Sequence, residues 1–367
     1  MNQIRVNARV LRAAAVVATL ATVAATSVVS QAANSTAAGA GAVTPAPGKV
    51  FFWQVGANPT PPSPGDVQNN LLSHGGSVEV KPSVYVVFWG PAWKNGFKMT
   101  GTKTADNPKP RTFTNVDAMR YVTRFFQSVG GSTWNAVQTQ YCENVPAGTF
   151  DCATQKLAQY ETNPSKELKG TWVDPSPVPA DIITSGLAEN VTSDPIAAEA
   201  LKLADKFGYQ KDATYFVLTE PGHIATGYGG GGAPAGAYCA YHSQVTNSDG
   251  VPSHGIQYAF IPYIPEAGAG CRAYAGHKAD DAFGHGYFDS YSLTIGHEYG
   301  EAETDPGNLL GTQDGWNDNQ TSENGDKCAD GHGYFNMPMG GYSFTMQPMW
   351  SNKITGCATT LTQKTPT

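Results

Sequence analysis

Thr294-Ile295-Gly296-His297-Glu298-Tyr299-Gly300-Glu301-Ala302-Glu303-Thr304-Asp305-Pro306 is the stretch around which the rest of the chain is read. It stops at a proline, which breaks helices, and a helix from Ser290 to Thr304 is expected. On that helix His297 and Glu301, four residues apart, share a face. Tyr291, Ile295, Tyr299 and Ala302 fall on a different face, suited to packing on a sheet. The spacing therefore predicts a helix resting on a sheet, with an imidazole–carboxylate edge turned toward a cleft.

Working outward, Val84-Tyr85-Val86-Val87-Phe88-Trp89, within Ser83 to Gly90, is a β-branched and aromatic run closed by Gly-Pro. That is the pattern of a strand buried on both faces. Asn115 to Ser128 reads as a helix with Asn115 as N-cap and Gly130-Gly131 as its stop; Met119, Tyr121, Val122, Phe125 and Phe126 form its apolar side. Further helices are expected from Ser132 to Tyr141 and from Ser193 to Phe207, the latter capped by Ser193 with Pro195 in its first turn. Strands are expected at Thr214 to Leu218, Gly236 to His242 and Ile256 to Ile264. The glycine run Gly227-Tyr228-Gly229-Gly230-Gly231-Gly232 precedes a strand, not a helix, so it reads as a surface loop and not a phosphate cradle. Beyond Pro306 the chain is loop-rich, with a strand near Tyr342 to Met346. The expectation is a single α+β domain: a mixed β-sheet with packed helices, a zincin-like H-E-x-x-E helix and a loop-rich C-terminal part.

The N-terminus has the three parts of a secretory signal peptide. Arg5, Arg9 and Arg12 form a positive region, Ala13 to Ser30 is uncharged, and Ser30-Gln31-Ala32 supplies small residues for cleavage. Residues 1–32 are read as the signal peptide, 33–74 as a Pro/Gly/Ala-rich linker or pro-segment, 75–360 as the globular secreted domain and 361–367 as a tail. Residues 1–32 hold three Arg and no acid, so cleavage takes the formal charge from −7 to −10. That balance argues against nucleic acid as a partner, and no later run is apolar enough to span a membrane. Six cysteines without a CxxC pair, in an exported chain, read as disulfides. The neighbour pairing 142–152, 239–271 and 328–357 is one of fifteen arrangements that six cysteines allow.

Chemistry centres on the H-E-x-x-E run. An imidazole and a carboxylate one helical turn apart are a start for a zinc site, and Glu298, next to His297, is placed for a general base. A carboxylate ligand in place of a second imidazole lowers the metal's net charge. The acids Asp305, Asp314, Asp318, Glu323 and Asp326 gather downstream. Asp305, Glu323, Asp326 and His332 are the candidates for a further ligand, beside His297 and Glu301. The competing use is calcium, for which Asp314, Asp318, Glu323 and Asp326 offer hard oxygens. His242 and His285 can enter the cleft or serve structural ends, and Cys239 is a poor nucleophile because exported cysteines are usually bridged. Glu301 and Asp305 also make the E-x-x-x-D spacing of serine-carboxyl peptidases, but the serine-bearing segment is missing.

Several segments together carry a family resemblance. Gly75-Gly76-Ser77-Val78 with the strand through Gly90-Pro91, Tyr238-Cys239-Ala240-Tyr241-His242, the HExxEAxTDP run of 297–306, Glu323-Asn324-Gly325-Asp326-Lys327-Cys328, and Trp350-Ser351-Asn352 with Gly356-Cys357 resemble a group of secreted bacterial and fungal proteins. These are distantly similar to the plant phosphate-induced (EXORDIUM-like) extracellular proteins. The resemblance implies secretion and, through the plant proteins, a role at the cell wall. Two functions are therefore expected: a secreted zinc-dependent hydrolase acting on extracellular protein or peptide, or a non-enzymatic binding protein for cell-wall polysaccharide with a structural metal or none.

Overall fold

The computed structural model describes residues 70–100, 108–179, 195–223, 239–245, 255–264, 285, 288–306, 314–329 and 334–362. The chain divides into two compact units, Met1–Thr44 and Pro45–Thr367, and every described residue belongs to the second. The expected signal peptide, the glycine run of 227–232, Ser193, Cys271 and His332 lie outside the described residues.

The core is a mixed five-stranded sheet. Its strands are β1 (Ser83–Trp89), β2 (Leu168–Asp174), β3 (Ala213–Thr219), β4 (Tyr241–Val245) and β5 (Ile256–Ile261), in the spatial order β2-β1-β3-β5-β4. β2, β1, β3 and β5 run parallel, and β4 closes one edge antiparallel to β5. β1 and β3 are buried along their whole lengths, as continuous apolar runs in a parallel sheet must be. Alternation sorts their side chains. Val84, Val86, Phe88, Phe216 and Leu218 join one apolar cluster, while Tyr85, Val87, Trp89, Tyr215 and Val217 join another.

Each cluster is completed by helices. α1 (Asn115–Ser128) and α3 (Phe288–Thr304) cover the first face, and α2 (Pro195–Phe207) the second. Phe126 of α1, Phe216 of β3 and Tyr299 of α3 pack edge-on or tilted, with ring centroids 4.6 to 6.1 Å apart, and so lock both helices to the sheet. Of the expected sheet-facing side chains of α3, Tyr291, Ile295 and Tyr299 are in this cluster, while Ala302 is buried but outside it. The rest of α3 is not turned to an open cleft: all of its residues are buried. Its far side is covered by residues 323–329 and by a hairpin of β6 (Phe335–Met339) and β7 (Tyr342–Met346). The part beyond Pro306 is thus built from short pairings. Trp316–Asn317 pairs with Leu72–Ser73, so residues upstream of Gly75 take part in the fold.

Other local differences have simple causes. α1 is capped by Thr114, not Asn115: Thr114 and Asp117 form a reciprocal capping box, while Asn115 donates from Nδ2 to the Trp93 carbonyl. Ser132 to Tyr141 yields only a 3-10 helix at Asn135–Gln140. β2 escapes the sequence because it is an edge strand with alternating exposure and an internal glycine. Gly170 is required there, since a Cβ would lie 2.6 Å from the Phe207 ring.

Two disulfides, Cys142–Cys152 and Cys328–Cys357, match the neighbour pairing. Cys239 is also bridged. No helix among the described residues is long and apolar enough to cross a membrane. The Cys328–Cys357 bridge spans 29 positions. Replacing both residues by Ser should lower the unfolding free energy by about 3–4 kcal/mol, measured by urea titration of the purified chain.

A second prediction concerns pH. Burial raises the Glu199 carboxyl on α2 to about 7, although Lys202, 2.7 Å away, opposes the shift. An acid with a higher pKa folded than unfolded keeps its proton longer in the native state. Its stabilising contribution is full at low pH and is lost as pH rises from about 4.5 to about 7. In Glu199→Gln the fall of unfolding free energy across this window should become shallower; an unchanged slope would show that Glu199 ionises freely.

Candidate metal centre

The helical turn of α3 brings His297 Nε2 to 3.2 Å from Glu301 Oε1. Residues 323–326 then fold back over that turn. The Asp326 backbone N–H donates to Glu301 Oε1 at 2.9 Å, and Asp326 Oδ1 comes to 3.6 Å from His297 Nε2. Gly325 permits this approach: a Cβ there would lie 2.8 Å from Glu301 Oε1 and 2.9 Å from His297 Nδ1. One triad is therefore His297, Glu301 and Asp326.

The other oxygen of Glu301 belongs to a second triad. In β4, Tyr241 and Val245 join the α2-side cluster, so His242 points to the face that carries α3. Its Nε2 lies 3.1 Å from Glu323 Oε2 and 3.7 Å from Glu301 Oε2. Glu301 thus offers one oxygen to each of two adjacent sets, both fully buried.

The geometry suits a metal. Two ligand atoms about 2.0–2.1 Å from one zinc, at tetrahedral angles, lie about 3.3 Å apart. The pairs above span 3.1 to 3.7 Å. Asp326 Oδ1 has no hydrogen-bond partner among the described residues, an arrangement that is costly without a bound cation or proton. Gln347 sets the tautomer of His297. Its Nε2 donates to the Gly325 carbonyl at 2.8 Å, so its Oε1, 3.2 Å from His297 Nδ1, is left as the acceptor. His297 then carries its proton on Nδ1 and presents a lone pair at Nε2.

The electrostatics of the group are strongly perturbed. Burial works to lower the His297 pKa, but Glu301, Asp326 and Glu298 together raise it above its ordinary value. Burial lowers His242 to about 4, against the pull of Glu301. Burial pushes the Glu298 carboxyl up, with Glu301 and Asp326 adding to the shift and His297 opposing it. Burial, Glu301 and Asp305 do the same for Glu323. A proton on His297 and a metal at its Nε2 relieve the same excess of negative charge, so they compete.

Of the expected ligands, His297, Glu301, Glu323 and Asp326 converge. Asp305 does not: its oxygens accept from the Gly315 amide at 2.6 Å and Asn317 Nδ2 at 3.1 Å, tying the end of α3 to the next segment. The loop set considered for calcium does not assemble. Asp318 is used by the Gln320 and Ser322 amides and by Lys327 Nζ at 2.7 Å, while Glu323 and Asp326 face the histidines. His285 pairs with Asp289 at 2.7 Å. His242, which the sequence left between cleft and structural roles, is in the centre, and strand parity was the signal that placed it. Gln347 and Gly325 carried no signal.

No protein-family model, curated protein or solved structure matches the chain. The chemistry of the centre is therefore read from its geometry. If Gln347 orients His297, Gln347→Leu should weaken zinc binding about 10- to 100-fold, measured by competition with a chelator. Unchanged affinity in a folded variant would remove Gln347 from that role.

Proposed function

We propose that the protein is an exported metal-dependent hydrolase that cleaves peptide bonds. The observation that carries this reading is the convergence of His297 Nε2, Glu301 Oε1 and Asp326 Oδ1, with Glu298 on the same helical turn. His242 and Glu323 extend the set through the second oxygen of Glu301. Nitrogen and carboxylate donors of this kind suit zinc. When bound, zinc supplies Lewis-acid polarisation of a carbonyl and makes water a better acid.

The chain's own residues do the rest. Gln347 and the Asp326 amide hold His297 and Glu301 in place. Glu298 forms no hydrogen bond among the described residues that would occupy its carboxylate. Burial raises its pKa above the ordinary carboxylate range, the direction in which a carboxylate general base is tuned. It accepts the proton of the water that attacks the carbonyl and returns it to the leaving amine. The disulfides accord with an oxidising compartment, where the substrate would be extracellular protein or peptide.

A second reading is favoured by one observation, the near-complete burial of the centre, with His297 at 1 % and Glu298 at 2 % exposure. In that reading the centre holds a structural metal or none, and the protein binds an extracellular ligand such as cell-wall polysaccharide, as the EXORDIUM-like resemblance implies.

The readings separate experimentally. Under the first, purified protein retains zinc after dialysis, Glu301→Ala loses it, and Glu298→Gln keeps it while peptide hydrolysis falls by about 10²- to 10⁴-fold. Hydrolysis unaffected in Glu298→Gln would exclude Glu298 as the base. Zinc-bound wild type with no hydrolysis, and polysaccharide binding insensitive to chelator, would select the second.

A further inference from the structure

A second carboxylate cluster lies at the C-terminal end of α3. Glu303 follows Glu301 by two positions, about 200° further round the helix, so it points away from His297. Oxygens of Glu303, Glu161 and Glu167 lie within 4.8 Å of one another. Glu79, whose backbone N–H donates to the Glu303 carbonyl at 2.9 Å, stands beside them. All four are at most 1 % exposed. None is ion-paired to Lys or Arg among the described residues.

Neutral donors hold the carboxylates: one oxygen each of Glu79, Glu161 and Glu303, and both of Glu167, whose Oε1 also accepts from Asn135 Nδ2 at 3.5 Å. Thr214 Oγ1 donates to Glu79 Oε1 at 2.8 Å, the Asn163 N–H to Glu161 Oε1, Tyr299 Oη to Glu167 Oε2 at 2.8 Å, and Asn135 Nδ2 to Glu303 Oε1 at 2.9 Å. The Oε2 atoms of Glu79, Glu161 and Glu303 are left buried without a partner, as is Asn135 Oδ1. This is the pattern of metal ligands oriented by an outer layer of hydrogen bonds.

Buried carboxylates this close must be neutralised by protons or by a cation. Two features favour the cation. The surroundings supply donors to one oxygen each of Glu79, Glu161 and Glu303 and leave their Oε2 atoms as buried acceptors without a partner. Glu303 also sits in the last turn of α3, where the helix dipole is negative and a cation is stabilised. The donors are all oxygen, which suits a hard ion with a high coordination number, not zinc.

We propose that Glu161, Glu167 and Glu303 hold a calcium ion that pins the C-terminal end of α3 to the segment leading into β2. The site is separate from the histidine centre and does not depend on its being catalytic.

The test uses the full chain stripped of metal and titrated with calcium chloride by calorimetry, with thermal melting in parallel. One calcium per chain should bind, and saturation should raise Tm by about 5 °C or more. The double variant Glu161→Gln/Glu303→Gln should lose both responses, whereas His297→Ala should keep them. If the double variant fails to fold, Glu161→Gln alone should weaken calcium binding at least about tenfold. Wild type that neither binds calcium nor gains Tm would overturn the proposal, leaving protons as the neutralising charge. So would Glu161→Gln binding calcium as wild type does, or His297→Ala losing the response.

Discussion

Helix α3 is buried along its whole length while carrying Asp289, His297, Glu298, Glu301 and Glu303. Charged groups taken out of water cost several kcal/mol each unless they are paired or neutralised, so the surroundings of this helix are dictated by what those side chains need. Asp289 is met by His285 and Thr345. Glu301 is met by the two histidines and the Asp326 amide. Glu303 is met by Asn135. The apolar stripe of Tyr291, Ile295 and Tyr299 fastens the helix to the sheet and supplies the burial that offsets these demands.

Covering the other side of α3 needs room close to its backbone. Gly296 and Gly300 provide it: a Cβ at either position would run into the side chain of Met346 or Met349. Glycine in a helix interior costs about 1 kcal/mol relative to alanine, and here it admits a second layer of chain over the helix. That layer brings Gln347 to His297. The disulfide Cys328–Cys357 holds the adjoining segment, which carries Glu323 and Asp326, to the C-terminal strand pair. The centre is thus assembled from α3, from β4 and from the segments beyond Pro306, and no one of them contains it.

The parts of this that were legible in the sequence are those fixed by local pattern. The apolar runs at Val84–Trp89 and Thr214–Leu218 announced buried strands, and the stripe on α3 announced its sheet-facing side. His297, Glu301, Glu323 and Asp326 could be singled out because helical spacing and local acid density are visible in one dimension. Asp305 stands outside the converging groups because Gly315 and Asn317 occupy its oxygens, and those donors cannot be read from its reach along the sequence. His242 depended on the parity of an edge strand whose register is set by β5. β2 was lost because an edge strand with Gly170 and half-exposed polar residues lacks an apolar run. The cluster of Glu79, Glu161, Glu167 and Glu303 joins positions from three distant segments, and only the folded chain brings them together.

Glu301 and Glu303 stand almost back to back on a single rigid rod. A helix that cannot flex over one turn transmits rotation about its axis without loss, so the angular setting of Glu303 among its neighbours is also the angular setting of Glu301 among the histidines. A turn of α3 by about 10° would carry a carboxylate oxygen about 5–6 Å from the axis through about 1 Å, enough to open contacts of 3.1 to 3.7 Å. The two acidic clusters thus share one helix as their common frame, although each is bonded to different segments on opposite sides of it.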